Sequence, residues 1–290
     1  MVGYREKLLN LILKANPEVA LNPPMGPSGD RQKYAPLDRA IKQSLNRIKS
    51  QAVSADGGRV DYPALAGSAV YQEHRKLVSQ LGNFDLRSLP TREEKLAFWI
   101  NLYNTLVVDA VIQMQVKNSV TESWLGILGF FQKAAYCVGG YRFSLTDIEH
   151  GILRTNSGFP YFPGPHFSPS DPRRSAMIEI LDPRIHFALN CASKACPPIA
   201  VYTPDKIDQQ LDLAAATFIN ADSHLDLKKR EISISKIFRW YRVDFGGKDG
   251  IVQTLEKYLL IPRGSTSRGV VPGDFRISYH AYDWGLNQLV

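Results

Sequence analysis

TREEKLAFWINLYNTLVVDAVI, residues 91–112, is the stretch on which the fold turns. Thr91 is an N-cap residue type, and Glu93 and Glu94 follow in the first turn, where the helix dipole favours acidic side chains. Residues 97–112 are then apolar on nearly every side instead of carrying a single stripe. A helix of that kind is enclosed by other elements, so the pattern predicts a central helix from Thr91 to about Val116 at the heart of the core.

Downstream, YCVGGYRFSL (136–145) reads as a hairpin with Gly139 and Gly140 in a primed turn, followed by a short helix over 146–153 in which Thr146-x-x-Glu149 has the spacing of a capping box. The segment 154–175 holds Pro160, Pro163, Pro165, Pro169 and Pro172 and is too long for a plain connector, so it reads as a lid over a site. In RIHFALNCASKACPP (184–198), residues 185–190 have the bulky, partly alternating pattern of a buried strand, and Cys191 stands where that strand stops. Thr203 and Pro204 open a helix to about Ala221. Residues 225–234 fit a strand or hairpin, Ser235 caps a short helix through Arg242, residues 250–260 form another helix, and FRISYHAYDW (275–284) supplies a terminal strand. Upstream, two helices flank the Pro- and Gly-rich loop NPPMGPSGDRQKYAP (22–36). The sum is an α+β protein, with a central buried helix packed on a small mixed or antiparallel sheet, further helices around it, and an N-terminal helical extension. The expected division is 1–57 for the extension and 58–290 for the main domain.

A chain of 290 residues with 44% hydrophobic content can build one substantial core. The net charge of +7 is dispersed, its densest run being Lys228, Lys229 and Arg230, and no nucleic-acid reader motif accompanies it, so no nucleic-acid partner is expected. The longest apolar run (124–131) is far below the roughly 20 residues a bilayer requires, so no transmembrane segment is expected. The N-terminal stretch reads as an amphipathic helix, not a signal peptide, and Val2 excludes the myristoylation pattern. Three cysteines, an odd number, argue against a disulfide framework and point to a reducing, cytoplasmic setting.

Cys191 is the first candidate nucleophile, because thiolate is the strongest side-chain nucleophile at neutral pH; set against this, a free cysteine on an apolar face is usually a small core residue. Cys196 is a loop thiol or a packing residue. The C-x4-C spacing is not typical of zinc, and no metal or other cofactor is expected. His150 is the preferred base, since strand alternation turns its rival His186 away from Cys191. Arg154, one turn after His150, would disfavour an imidazolium there. Glu149 is either the partner in the capping box or a carboxylate facing the site. Asn101 and Asn104, three apart on the central helix, are buried amides that orient a histidine, donate to an oxyanion or tie loops to the core. Asn104, His186, Asn190 and Ser193 are the candidate substrate contacts. Asp244 and Asp283, set among aromatics, can fix an imidazole or anchor a loop.

Five ordered blocks, AFWINLYN (97–104), IEHGILR (148–154), HFALNCASKACPP (186–198), WYRVDFGG (240–247) and YDWGLN (282–287), resemble the family named domain of unknown function 547. The resemblance runs over roughly residues 60–287. It implies a distant relation to papain-like and transglutaminase-like cysteine enzymes, with Cys191 and His150 as the matching thiol and imidazole in a permuted order. The function so implied is a cysteine-dependent hydrolase or acyl-transferase acting on an amide, isopeptide or thioester of a protein or peptide substrate. Asn101, or a backbone amide near Ala192, then serves the oxyanion. The alternative is a non-catalytic module that binds a peptide or small ligand. Oligomeric state is not encoded in any of these features.

Overall fold

A computed structural model of the chain describes residues 8, 10–22, 36–122, 126–160, 164–261 and 272–289. Most of the anticipated first helix, almost all of the loop at 22–36 and part of the anticipated lid lie outside the described residues.

The central helix, α4 (Arg92–Gln113), forms as its sequence demands. Its preceding helices are α1 (Leu37–Ala52), α2 (Tyr62–Ala66) and α3 (Ala69–Val78). At the start of α4 the Thr91 hydroxyl accepts from the Glu94 amide at 3.2 Å while the Glu94 carboxylate accepts from the Thr91 amide at 3.0 Å, a reciprocal cap. Every residue from Leu96 to Val111 is buried. The helix is long and apolar enough to cross a membrane by length and composition, but here its apolar surface is covered by protein on all sides.

Helix α1 packs into the same hydrophobic cluster as α4. Ile41, Leu45 and Ile48, spaced to share one helical face, are all buried in the cluster that surrounds α4. Asp109 ties this layer together from within α4. Its carboxylate accepts from Tyr71 of α3 at 2.6 Å and from Tyr136 at 2.7 Å, and it pairs with Arg75. Tyr136 stands on β1 (Ala135–Val138), which follows α5 (Ile127–Lys133) and pairs antiparallel with β2 (Tyr141–Ser144). Gly139 and Gly140, at φ of 58° and 81°, make the left-handed two-residue turn that closes this hairpin. A side chain at Gly139 would meet the Phe84 carbonyl at 2.8 Å.

A second, smaller core lies towards the C-terminus, where α6 (Ile207–Asp222), α7 (Lys236–Trp240) and α8 (Gly247–Tyr258) pack with a three-stranded sheet. In that sheet β3 (His224–Asp226) is antiparallel to β4 (Glu231–Ile234), and β4 is parallel to β5 (Arg276–Tyr279). Phe187, Phe218, Phe238 and Phe245 fill its centre. The α+β class therefore holds, with a two-stranded hairpin beside the central helix and a mixed sheet under the second core.

One anticipated element is different. Residues 185–190 do not form a strand: Pro183–Phe187 is a single 3₁₀ turn. The reason lies just upstream, in Asp182-Pro183-Arg184. The Asp182 carboxylate accepts from the Arg184 amide at 3.0 Å and from its Nε at 2.9 Å, and proline at the first helical position fixes the chain for a helical start. The same device recurs at Asp171-Pro172-Arg173. With no strand, the alternation that set His186 and Cys191 on opposite faces does not apply.

Asp109→Ala leaves a half-buried arginine and two buried phenols without their acceptor. The expected cost is about 3–5 kcal/mol, read as a lowered midpoint in urea denaturation; a loss under about 1 kcal/mol would mean that Asp109 contributes no more than a surface ion pair.

Candidate functional site

Glu149 and His150 stand on Asp147–Leu153, a wide π-helical turn entered directly from β2. Such turns set side chains at angles an α-helix does not allow and recur at functional sites. Its cap is not the anticipated Thr146–Glu149 box, since the Thr146 hydroxyl has no hydrogen-bond partner among the described residues. Ser144 and Asp147 form the reciprocal pair instead: the Ser144 amide donates to Asp147 at 2.8 Å and the Asp147 amide donates to Ser144 Oγ at 3.0 Å. Burial pushes the Asp147 carboxyl up, but the His166 hydrogen bond at 2.7 Å and the charge of Arg173 outweigh it and hold the group well below the usual carboxylate range. Glu149 is thereby free for another task. It accepts from Tyr103 of α4 at 3.0 Å and from Tyr241, and burial with the nearby carboxylate pushes both phenols up, so they remain donors.

Four side chains form a line through the site: His150, Arg154, Asp244 and His186. Arg154 Nη1 donates to His150 Nδ1 at 2.9 Å, and the same guanidinium holds Asp244 through Nε and, at 2.8 Å, through Nη2. His186 Nε2 meets Asp244 Oδ2, the oxygen that also accepts from Arg154 Nε, at 2.8 Å. Arginine can only donate, so His150 Nδ1 carries a lone pair and its proton sits on Nε2. Asp244 is an acceptor, since the hydrogen bonds from Arg154 and His186 overcome its burial and hold its carboxyl well below the usual range. His186 therefore donates from Nε2 and keeps its lone pair on Nδ1.

Burial, then the charge of Arg154, holds His150 well below the ordinary imidazole value. Burial lowers His186 as well, against the opposing pull of Asp244. Both rings are neutral at neutral pH and share one tautomer, yet they offer opposite functions: among the described residues nothing bonds the N–H of His150 or the remaining lone pair of His186. His186 is further fixed by stacking on Tyr241, with ring centroids 3.8 Å apart and planes at 18°. The sequence reading prefers His150 as base; in the structure its Nδ1 lone pair is occupied by Arg154, whereas the bond to Asp244 leaves the Nδ1 lone pair of His186 without a hydrogen-bond partner among the described residues.

Glu149, His150 and His186 line a cavity of ≈ 310 Å³ whose remaining wall is largely aromatic, including Phe159, Trp240, Tyr282 and Trp284. Cys191 and Cys196 are on the same wall and are joined as a disulfide, Cα–Cα 6.1 Å. The expectation drawn from an odd cysteine count is overturned: two cysteines pair and Cys137 alone is free. What brings them together is a tight loop. Asn190 holds it with its side chain, accepting from the Ala192 amide at 2.8 Å and donating to the Pro197 carbonyl at 2.7 Å, while Ala192 takes the left-handed φ of 63°. Among the described residues, no histidine nitrogen is within hydrogen-bonding reach of the Cys191 sulfur; its polar neighbours are Ser193 Oγ at 3.2 Å and Tyr282 Oη at 3.3 Å. The anticipated Cys191–His150 pair is not assembled.

The remaining candidates act through backbone. Asn101 donates to the Tyr202 carbonyl at 2.8 Å and accepts from the Tyr202 amide at 2.9 Å. Asn104 does the same for the Ala188 carbonyl and the Asn190 amide, at 3.0 and 2.9 Å. Both side-chain amides bond backbone, Asn104 and Asn190 place the cysteine loop, and none of the three asparagines lines the cavity. Ser193 lies against the two sulfurs and donates to Tyr282 Oη at 3.1 Å. Asp283 accepts from the Gly285 amide at 2.8 Å and anchors a turn. The aromatic lining escaped the sequence reading, although WYRVDF and YDW each set aromatic residues beside an acidic one.

Residues 86–219 match the family model DUF547, described as "Protein of unknown function", and over that segment the chain belongs to the family. The matched segment contains Glu149, His150, Arg154, His186 and both paired cysteines; Asp244 and Tyr282 lie beyond it. No curated protein and no solved structure matches the chain.

The buried neutral histidines make stability depend on pH with a definite sign. His150, His186 and His74, the last lowered to about 4 by burial, all take up protons less readily when folded. Their contribution is complete above the unfolded value of about 6.5 and is lost as pH falls from there towards each folded value. Urea denaturation should therefore show the unfolding free energy falling between pH 6.5 and 5, with a slope of at most roughly 1.4 kcal/mol per pH unit for each histidine. A flat profile over that range would mean that the imidazoles are not held neutral.

Proposed function

We propose that this DUF547-family chain is a hydrolase or acyl-transferase that acts on the carbonyl carbon of an ester, thioester or amide whose apolar group occupies the aromatic cavity. The observation that carries this reading is the Arg154–Asp244 pair, which gives two neutral histidines on one cavity wall complementary roles. In this scheme His186 Nδ1 takes the proton of the attacking nucleophile, and Asp244 stabilises the imidazolium that forms. The His150 Nε2–H donates to the developing oxyanion, a role that a neutral imidazole held by a neighbouring cation performs without reorganising. The imidazolium of His186 then returns its proton to the leaving group.

While Cys191 and Cys196 are joined, the nucleophile in this scheme is water or a hydroxyl of the acceptor. The cysteine-dependent form of the reaction requires the disulfide to open first. A second reading is supported by the aromatic character of the cavity: a non-catalytic module for an apolar or aromatic ligand, with the histidines as structural members of its wall.

The two readings separate in one assay series. Purified protein is incubated with p-nitrophenyl esters of straight-chain acids and with the matching anilides, and the wild type is compared with His186→Asn and His150→Gln. The expected result is turnover that rises with acyl length and falls about 10²–10⁴-fold in kcat for His186→Asn, with little change in KM. His150→Gln, which retains an N–H donor, should lose less than His150→Ala. Turnover that is the same in wild type and His186→Asn would overturn the catalytic reading. Ester binding with no turnover in any form would leave the binding module.

A further inference from the structure

The surroundings of the two sulfurs are unequal. The Cys191 amide donates to Cys196 Sγ at 2.8 Å, a contact fixed by backbone. Cys196 Sγ also has Tyr282 Oη at 3.2 Å and the Ser193 hydroxyl at 3.4 Å. Cys191 Sγ has contacts to the same two hydroxyls, which can turn to either sulfur, and among the described residues none to an amide N–H. Hydrogen bonds from N–H and O–H groups stabilise a thiolate over a thiol, so of the two sulfurs Cys196 is the one prepared to carry negative charge. Both cysteines are half-buried and line the cavity, where a small thiol has access.

We propose that Cys191–Cys196 is a thiol–disulfide exchange site for a low-molecular-weight thiol, with Cys196 as the leaving thiolate and Cys191 as the sulfur that is attacked. In the forward direction an external thiolate attacks Cys191 Sγ. The S–S bond breaks with its electron pair moving to Cys196, and a mixed disulfide forms on Cys191. A second external thiolate attacks the outer sulfur of that mixed disulfide. It releases the external disulfide and leaves Cys191 as a thiolate that takes up a proton. Two external thiols are oxidised and the protein pair is reduced by two electrons, so the reaction balances without a metal or other cofactor. In the reduced protein the lower-pKa thiol holds more thiolate near neutral pH, so Cys196 is alkylated before Cys191. The assignment does not depend on the carbonyl chemistry proposed above, since neither histidine takes part.

The test uses the full chain with Cys137→Ser, which leaves the pair as the sole source of thiols. Oxidised protein is exposed to limiting glutathione, quenched in acid and mapped by peptide mass spectrometry. In parallel, fully reduced protein is alkylated with iodoacetamide near pH 6.5. The expected result is glutathione on Cys191 in the first experiment and alkylation at Cys196 about tenfold faster than at Cys191 in the second, with that advantage reduced in Tyr282→Phe. If glutathione leaves the bond intact in the folded protein, the exchange site is refuted. If glutathione is found on Cys196, or Cys191 is alkylated first, the assigned polarity is overturned. Both readouts need only the folded loop with Tyr282 in place, so they decide the matter even if Tyr282→Phe fails to fold.

Discussion

The buried Arg154–Asp244 ion pair is the interaction on which the site depends. It spans the two parts of the chain, since Arg154 follows the π-helical turn beside the central helix while Asp244 lies in the second core, just after α7. A buried pair of this kind repays its desolvation only when the remaining hydrogen-bonding capacity of both groups is met. Here it is met: the guanidinium also serves His150 and the Gly158 carbonyl and lies over the Tyr241 ring, and the carboxylate also serves His186. Loss of either partner would strand the other's charge in a buried setting and would remove the bond to one imidazole, His150 for Arg154 and His186 for Asp244.

The central helix plays the complementary mechanical role. Its asparagines grip backbone at two places, Asn101 at Tyr202 and Asn104 at Ala188 and Asn190, so the segment that carries His186 and the cysteine loop is fixed relative to α4 at two points. Tyr103, between them in sequence, reaches Glu149 on the π-helical turn. A helix that is apolar almost all round thus uses its few polar groups to place the cavity wall. That is the physical reason why the polar residues of AFWINLYN are not themselves the chemistry.

The central helix, the hairpin and the α+β class were legible because each rests on local chemistry: a cap, an all-round apolar pattern, a Gly-Gly turn. The 3₁₀ turn at Pro183–Phe187 was missed because bulky residues in IHFAL mimic a strand, and the competing signal was a helix start, Asp182-Pro183, that precedes the apolar run. The cap of the π-helical turn was misplaced by two residues for a similar reason: Ser144-x-x-Asp147 and Thr146-x-x-Glu149 have equal spacing, and only the tyrosines across the cavity decide that Glu149 is used elsewhere. Glu149, His150, His186 and Cys191 all lie in blocks that the sequence marks, and all four line the cavity. In the proposed scheme the choice of His186 over His150 as base depends on which nitrogen Arg154 and Asp244 occupy, a relation between residues up to 90 positions apart that no local pattern carries. The disulfide likewise depends on the Asn190 turn, whereas the odd cysteine count pointed away from it.

Nitrogen-15 NMR of the histidine rings at neutral pH, assigned by single His→Gln variants and by loss of the Asp244 partner in Asp244→Asn, probes this arrangement at its centre. The expected spectrum has both His150 and His186 neutral with the proton on Nε2, a His150 Nδ1 shift typical of a hydrogen-bonded acceptor, and no imidazolium at either ring down to pH 6. A proton on His150 Nδ1, or an imidazolium at either position at neutral pH, would contradict the assignment of His150 as donor and His186 as base.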